Sequence, residues 1–350
     1  MMSLASCSKV NLPEPDENTV RQAEVTYLVS PNGLGDNGYN DCIVDGLFRF
    51  HEQTGRTASL LEPSDSAEAM AMYRNWVQSH AAADSAMLIL GSSVYENIVS
   101  QEPPRLAGHG SRVMLMESML QVESVNSVMV DRYGAAYLAG AMVSDYPALI
   151  LAAAPGVPTL DMAISGFRDG HERNFPNSSD ESLLELQYLA DNESGFAKPE
   201  EAYGLLYDYI YEREMNLLFD LAIFPLLGGS NIGAVRAVND LNWSNAMLIG
   251  MDTDMAGASP HVPFSVVVRI DEVVYTYLAD WLSGKEWPAS SLLGMKDGVI
   301  DIVPSTTYVQ RYHASEDDRM IDAARVAERY RLYRDEAIRK ETEYEQSLEK

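Results

Sequence analysis

Three carboxylates, Asp36, Asp131 and Asp252, each follow a short apolar stretch with the composition of a β-strand. Carboxylates placed in this way can do one of two things. Two of them held roughly 5–10 Å apart can hydrolyse a glycosidic bond. Alternatively, each can accept hydrogen bonds from sugar hydroxyls without any reaction. The order of residues along a chain does not give the separation of their side chains, so both uses stay open at this point.

Residue patterns for most other chemistries are absent from the sequence. Gly33-Leu34-Gly35 is not followed by the third glycine of the dinucleotide fingerprint, and no phosphate-binding loop or serine nucleophile elbow is present. The two cysteines, Cys7 and Cys42, form no CxxC pattern, and the six histidines include no pair at metal-ligand spacing. The sequence therefore predicts no cofactor and no metal site, and it favours binding without turnover.

The stretch 25–54 reads as a strand, a glycine-rich turn and an amphipathic helix. In parallel α/β sheets, ligands bind beyond the carboxyl ends of the strands, where this turn would lie. We therefore predict that Asp36, Tyr39 and Asn40 contact a flat polar ligand. The alternative is that Asp36 or Asn37 caps the helix and does nothing else.

Two further turns have the same character. Gly91-Ser92-Ser93 follows an apolar strand at 86–90, which makes Ser92 a candidate contact. Gly228-Gly-Ser-Asn231 precedes a predicted helix at 232–240, so the amides around Gly229 and Ser230 could hold an anion or a sugar hydroxyl. A tight turn without a ligand explains this glycine pair equally well.

Strands and helices alternate in two successive runs, which predicts an α/β protein with two doubly wound lobes facing each other across a cleft. A length of 350 residues agrees with two domains, and a cleft between domains is a preferred place for small molecules. The segment 313–350 differs, because residues 315–347 contain no glycine or proline and many charges. It predicts one long charged helix, which either lies on the lobes or mediates assembly.

Charge and the start of the chain bear on partners and location. Twenty-five Lys and Arg residues oppose 52 Asp and Glu residues, a net charge of −27 that repels nucleic acid and anionic membranes. Leu4-Ala5-Ser6-Cys7 resembles a bacterial lipobox, although no basic region or full apolar region precedes it. We expect Cys7 to be a lipid anchor whose signal has been trimmed, and residues 1–24 to be a flexible tether. The alternative is that the match at Cys7 is a coincidence.

Several segments together resemble the basic membrane protein family of bacterial substrate-binding lipoproteins, of which the purine nucleoside receptors of ABC transporters are the best-known type. They occur in family order between about residues 25 and 300. The matching segments are Gly35-Asp-Asn-Gly-Tyr-Asn40, Tyr133-Gly-Ala-Ala-Tyr-Leu-Ala-Gly140, Gly166-Phe-Arg-Asp-Gly170, Gly228-Gly-Ser-Asn-Ile-Gly233, Ile249-Gly-Met-Asp252 and Arg269-Ile-Asp-Glu-Val-Val-Tyr275.

The resemblance implies a type I periplasmic-binding fold, with two α/β lobes, three crossing segments and a hinge. On that pattern, lobe one comprises residues 25–146 and 270–293. Lobe two comprises residues 147–264 and 294–312. The long helix at 313–350 is additional to the family pattern.

The resemblance also implies how a ligand is held. In the family a purine base lies between aromatic side chains of opposite lobes, and carboxylates hold the ribose. Tyr39 matches the first aromatic and Phe196 is placed as the second, with Asn40 as a polar contact beside Tyr39. Asp131 matches a strand-end acid and Asp252 the acid that binds ribose. Arg269 belongs to a family segment in which a lysine commonly precedes the arginine, but here that position is Val268.

The leading hypothesis is therefore a lipid-anchored solute-binding protein of the bacterial cell envelope, facing the periplasm or the exterior. It would bind a nucleoside or a similar ring-bearing metabolite, such as a flavin-like compound, and deliver it to an ABC permease. A second hypothesis is a sensor or scaffold of the same fold whose terminal helix is the output element. A third is a nucleosidase or glycosidase that uses Asp36, Asp131 or Asp252.

Overall fold

A computed structural model describes residues 24–30, 33–35, 38–82, 85–106, 112–174, 183–216, 220–309 and 322–348. Cys7 and Asp36 lie outside these ranges. The helices and strands, in chain order, are β1 (Val25–Leu28), α1 (Tyr39–Thr54), β2 (Ala58–Leu61), α2 (Ser66–His80), β3 (Met87–Leu90), α3 (Glu96–Gln101), β4 (Arg112–Met116), β5 (Val125–Val130), α4 (Tyr133–Met142), β6 (Ala148–Ala152), α5 (Pro158–His171), β7 (Leu184–Tyr188), α6 (Pro199–Met215), β8 (Asp220–Leu226), α7 (Asn231–Asp240), β9 (Asn245–Leu248), β10 (Gly250–Asp252), β11 (Phe264–Val268), α8 (Ile270–Ser283), β12 (Ser290–Leu293), β13 (Ile300–Pro304) and α9 (Ala323–Leu348).

Two parallel sheets form the two lobes. The first has the strand order β12-β5-β4-β3-β1-β2, and the second has the order β7-β6-β8-β9. A three-stranded sheet, β10-β11-β13, contacts the second sheet through β10 and β8. Two doubly wound α/β lobes and a long C-terminal helix were predicted from the sequence, and the structure confirms them.

Local sequence explains where the elements begin and end. The strands β3 and β6 are apolar and fully buried, as parallel strands covered on both faces must be. Pro158 and Pro199 occupy the first turns of α5 and α6, where a missing N–H costs nothing. The helix α8 ends at Gly284, which has the left-handed φ of 75° that favours glycine at this position.

The chain passes between the sheets at three neighbouring places, after β5, between β11 and α8, and between β12 and β13. These crossings are bonded to one another: Asp131 N–H donates to the Leu293 carbonyl at 2.9 Å, and Arg269 N–H donates to the Val299 carbonyl at 2.7 Å. The helix α8 packs on α1, and β12 pairs with β5. We propose Asp131, rather than residue 146, as the first lobe boundary, because α4 packs on α5 and α9.

The small residues of α4 serve a helix–helix contact. Ala135, Ala139 and Gly140 lie on α4, whose main partner is α5. At Gly166 of α5, a Cβ atom would overlap the backbone carbonyl of Tyr133. Only glycine permits the two backbones to come so close.

The C-terminal helix α9 lies on the crossings. Tyr344 stacks on Tyr133 at the start of α4, with ring centroids 4.2 Å apart and planes inclined by 4°. Arg334 donates to Asp301 of β13 at 2.7 Å, and Arg329 donates to the Met142 carbonyl at the end of α4 at 2.6 Å. The carboxylate of Glu341 is fully buried against the segment that follows β12. Of the two roles considered from the sequence, lying on the lobes is the one that these contacts show.

Candidate functional site

A cavity of about 350 Å³ lies where the carboxyl ends of the two main sheets face each other. Its walls come from residues that follow strands of both lobes, which is the expected ligand position in open parallel sheets. This volume lies within the usual range of small-molecule sites. The lining residues that carry the argument below are Tyr39, Asn40, Ser92, Glu117, Arg132, Glu193, Phe196, Gly228, Asn231 and Asp252.

One aromatic side chain from each lobe lines the cavity. Tyr39 is the first residue of α1, and Phe196 lies in a short 3-10 turn at Glu193–Ala197 after β7. Burial and the nearby Glu117 hold the pKa of the Tyr39 hydroxyl well above its usual range. That hydroxyl is buried and has no hydrogen-bond partner among the described residues. The structure therefore brings the two predicted aromatics to the wall of one cavity.

Asn40 and Ser92 also line the cavity, and both have structural bonds. Asn40 Nδ2 donates to the Gly33 carbonyl at 2.6 Å, and its Oδ1 accepts from the Tyr27 hydroxyl at 2.9 Å. These bonds fix the glycine turn against β1. Ser92 Oγ accepts from the Val94 N–H at 3.3 Å and caps a short 3-10 turn. Gly38 is the N-cap residue of α1, whereas Asp36 and Asn37, the two caps considered from the sequence, lie outside the described residues.

An ion pair that sequence reasoning missed stands in the same wall. Arg132 Nη1 lies 2.8 Å from Glu117 Oε2, and Arg132 Nη2 lies 3.1 Å from Glu117 Oε1. Burial lowers the pKa of the Arg132 guanidinium, whereas Glu117 and Asp252 raise it, and the net direction is upward. Asp252 lies beside this pair and lines the cavity from the end of β10.

Four predicted site residues do not line the cavity. Asp131 is fully buried behind it, and its Oδ1 accepts from the Tyr133 N–H at 2.8 Å. Ser230 is fully buried too. Its hydroxyl accepts from the Lys198 N–H at 2.6 Å and donates to the Gly195 carbonyl at 2.8 Å. Arg269 is exposed at the second crossing. In the glycine turn, Gly228 rather than Gly229 lines the cavity.

The turn that contains Gly229 contributes a different residue. Asn231 is the first residue of α7 and is only 8% exposed, yet its side-chain oxygen has no hydrogen-bond partner among the described residues. A buried polar atom without a partner costs free energy unless a ligand or water satisfies it. The sequence signal was present, since Asn231 closes the glycine turn, but the turn did not show which member faces the cavity.

No group of three or more His, Cys, Asp or Glu residues in the described ranges could hold a metal ion. No helix within those ranges is long and apolar enough to cross a membrane. A larger groove of about 790 Å³ lies beside Trp281 and Trp287, at the amino ends of β4 and β5. Ligands of parallel sheets bind at the opposite ends.

The chain matches no known family model and no curated protein sequence. Its structure is similar to an ABC transporter solute-binding protein from Aeropyrum pernix K1, with a TM-score of 0.68, 16% identity, and coverage of 93% of this chain and 90% of that chain. It is also similar to a transcriptional activator of the comK gene from Bacillus halodurans, with a TM-score of 0.62, 17% identity, and coverage of 88% and 96%. A carbohydrate transporter solute-binding protein from Agrobacterium radiobacter, in complex with D-arabinose, gives a TM-score of 0.59, 14% identity, and coverage of 82% and 95%.

These likenesses establish the fold. The solute-binding proteins among the neighbours have the type I periplasmic-binding fold, and the chain shares their two α/β lobes, as the sequence predicted. The narrower resemblance to the basic membrane protein family stays a prediction.

Proposed function

We propose that the chain is a solute-binding protein of an ABC transporter that closes its lobes over a nucleoside or a similar ring-bearing metabolite. The observation that supports this most directly is the composition of the cavity. Its walls come from strand ends of both lobes, with Tyr39 on one side, Phe196 on the other, and Asp252 beside them. Aromatic rings favour a flat ligand, and a carboxylate favours vicinal hydroxyls.

The charge of the cavity wall narrows the ligand. Glu117, Glu193 and Asp252 are acids, and Arg132 is the single base among the described lining residues. A phosphate group would therefore meet more negative than positive charge in a partly dehydrated site. A neutral nucleoside fits this wall better than a nucleotide does. The loss of the family lysine at Val268 does not alter this wall, because Val268 is buried in β11 and does not line the cavity.

Transport and anchoring belong to the same proposal. Closure of the lobes would bury the ligand and present a new face to a permease, so that the ligand shifts an open–closed equilibrium. Cys7 would hold the protein to the bacterial cell envelope through a lipid. Cys7→Ser, expressed with a full secretory signal, should then be recovered in the aqueous phase after detergent partitioning. Retention of that variant in the detergent phase would rule out Cys7 as the anchor.

A thermal-shift screen followed by calorimetry tests the binding function. The purified protein is screened against purine and pyrimidine nucleosides, nucleotides, flavins and simple sugars, and a ligand at about 100 times its Kd adds about 2.7 kcal/mol of stability. Tyr39→Ala and Phe196→Ala should each weaken nucleoside binding by about 1–3 kcal/mol. Phe48→Ala is the matched control, because Phe48 is 60% exposed and lies outside the cavity. Unchanged affinity in both cavity variants would refute the aromatic sandwich.

The contacts of α9 favour a second candidate, a sensor whose terminal helix transmits lobe closure. The helix contacts the segments that follow the first and third crossings, so closure would alter its surroundings. Leu332 is 65% exposed on α9 and offers an apolar point of assembly. Ligand-dependent dimerisation in sedimentation, abolished by Leu332→Asp, would favour this sensor. A monomer with and without ligand would favour transport.

A hydrolase that pairs Asp131 with Asp252 across a ligand is not supported, because Asp131 does not line the cavity. Incubation of the protein with a bound nucleoside, followed by chromatography for the free base, tests it. We expect the nucleoside to be recovered intact.

A further inference from the structure

The Glu117–Arg132 ion pair is the most strongly constrained polar feature of the cavity. The two side chains make two nearly parallel hydrogen bonds of 2.8 and 3.1 Å, and each is only 11% exposed. Glu117 follows β4 and Arg132 follows β5, so the pair joins two neighbouring strand ends of the first sheet. Both residues line the cavity.

The backbone at Glu117 has an unfavourable conformation. Glu117 has a φ of 56°, in the left-handed region that residues other than glycine rarely adopt. Asp252, the other strand-end acid of the cavity, has a φ of 65°. A largely buried ion pair adds little stability by itself, because both charges must leave water. Strained backbone that aims two acids into one cavity is typical of a ligand clamp.

The Glu117–Arg132 pair lines the cavity and does not use all of its hydrogen-bonding capacity. A carboxylate accepts about four hydrogen bonds, and a guanidinium donates five. The ion pair uses two of each, and Arg132 Nη1 adds a long contact of 3.5 Å to the Val130 carbonyl. Neither side chain makes any other hydrogen bond within the described residues. Acceptor sites of Glu117 therefore remain directly beside donor sites of Arg132.

We propose that Glu117 and Arg132 together bind the edge of a heteroaromatic ring on which an N–H donor and an acceptor are adjacent. This rests on the proposed function and specifies its ligand: a nucleobase edge, rather than a sugar alone, would decide binding. The ring N–H or amino group donates to Glu117, and the neighbouring carbonyl or ring nitrogen accepts from Arg132. Hypoxanthine, guanine, adenine and uracil all present such an edge, whereas a free pentose and an unsubstituted purine do not.

Ligands that differ only at this edge test the proposal. Calorimetry compares inosine with 1-methylinosine, in which the ring N–H is replaced by a methyl group, and with purine riboside, which has no group at C6. All three share one ribose. Hydrogen bonds to charged groups contribute enough that we expect both analogues to bind about 10- to 100-fold more weakly than inosine.

Variants locate the effect on the ion pair. Glu117→Gln keeps the shape of the side chain but replaces one acceptor with a donor, and it should weaken inosine binding by about 10- to 100-fold. Glu336→Gln is the matched control, because Glu336 forms a partly buried ion pair with Arg173 at 2.7 Å, away from the cavity. It should bind inosine as the wild type does. Circular dichroism shows whether each variant is folded.

The outcomes separate the two proposals. If inosine binds but both analogues bind equally well, the ring-edge role is wrong and the nucleoside function stands. If Glu117→Gln is folded and retains wild-type affinity, the pair is structural only, which also overturns the role. If no nucleoside binds and D-ribose does, both the ring-edge role and the nucleoside function are overturned.

Discussion

The buried carboxylate of Glu341 should make the stability of this protein fall as the pH rises. Glu341 lies on α9 and accepts from the backbone N–H groups of Met295 and Lys296, at 3.0 and 3.3 Å. A Cβ atom at Gly134 or at Gly294 would overlap this carboxylate, so both crossing segments close tightly around it.

The pKa of Glu341 determines whether stability rises or falls with pH. Burial raises the pKa of Glu341 from 4.5 to about 7, the two backbone N–H groups oppose this, and Asp131 and Glu345 add to it. The folded protein therefore holds this proton more tightly than the unfolded chain. Its contribution to stability is fully present below pH 4.5 and is lost as the pH rises through 7. At about 1.4 kcal/mol per pH unit, the free energy of unfolding falls by about 2–3 kcal/mol over this range.

Glu341→Gln is the perturbation, because glutamine cannot ionise. The amide cannot accept from the Lys296 N–H, and the loss of this bond lowers stability by about 1–3 kcal/mol. This offset is the same at each pH, so the slope of stability against pH reports only the loss of the ionisable group. Urea unfolding at pH 5, 6, 7 and 8, followed by tryptophan fluorescence, gives the slope. In the variant, the free energy of unfolding should fall much less as the pH rises. A smaller fall should remain from Asp131, because burial raises its pKa to about 6.

Glu343→Gln serves as the control, since Glu343 lies on the same helix but is 53% exposed. It should follow the wild-type decline. Equal slopes of stability against pH for the wild type and Glu341→Gln would show that folding does not raise the pKa of Glu341, which would refute the prediction.

Three further outcomes follow from the structure. Asp252→Asn should weaken nucleoside binding about 10-fold or more in calorimetry, because the proposed site loses a carboxylate that would accept from two hydroxyls; an unchanged Kd would remove Asp252 from the site. Gly166→Ala should lower the free energy of unfolding by about 1–3 kcal/mol in urea titrations, because its Cβ overlaps the Tyr133 carbonyl; a neutral effect would contradict the close α4–α5 contact. Asn231→Leu should weaken nucleoside binding yet preserve or raise the free energy of unfolding, because it removes an unpaired buried oxygen. A loss of stability would show that this oxygen already has a hydrogen-bond partner.

The sequence predicted the elements whose signals are local. Buried strands such as β3 are continuous apolar runs, and helices such as α8 end at glycine, so both could be recognised without tertiary information. The long helix α9 followed from its charge and its lack of glycine and proline. The short strands β12 and β13 were missed, because their half-buried residues carry neither a continuous nor a clearly alternating apolar pattern.

The candidate site was harder to predict, because it depends on which of two neighbouring residues faces the cavity. The end of β5 was correctly identified as a strand end, and Asp131 was chosen there. Successive side chains at a strand end point to opposite sides, so Asp131 faces α9 while Arg132 faces the cavity. The partnership of Arg132 with Glu117 depends on the pairing of β4 with β5, which no local pattern reveals.

Asp131 and Arg132, which are adjacent in the chain, connect the cavity with α9. Arg132 lines the cavity, and Asp131 lies among the acids Glu341 and Glu345 of α9. A rotation of the first crossing during lobe closure must move both side chains, since they are adjacent in the chain. Thermodynamic linkage then requires reciprocity: if protonation of the α9 carboxylates changes ligand affinity, ligand binding changes their pKa by the same free energy. A nucleoside that binds equally well at pH 5 and pH 8 would mean that α9 only braces the hinge, whereas a pH-dependent Kd that Glu341→Gln abolishes would make the helix part of the response to ligand.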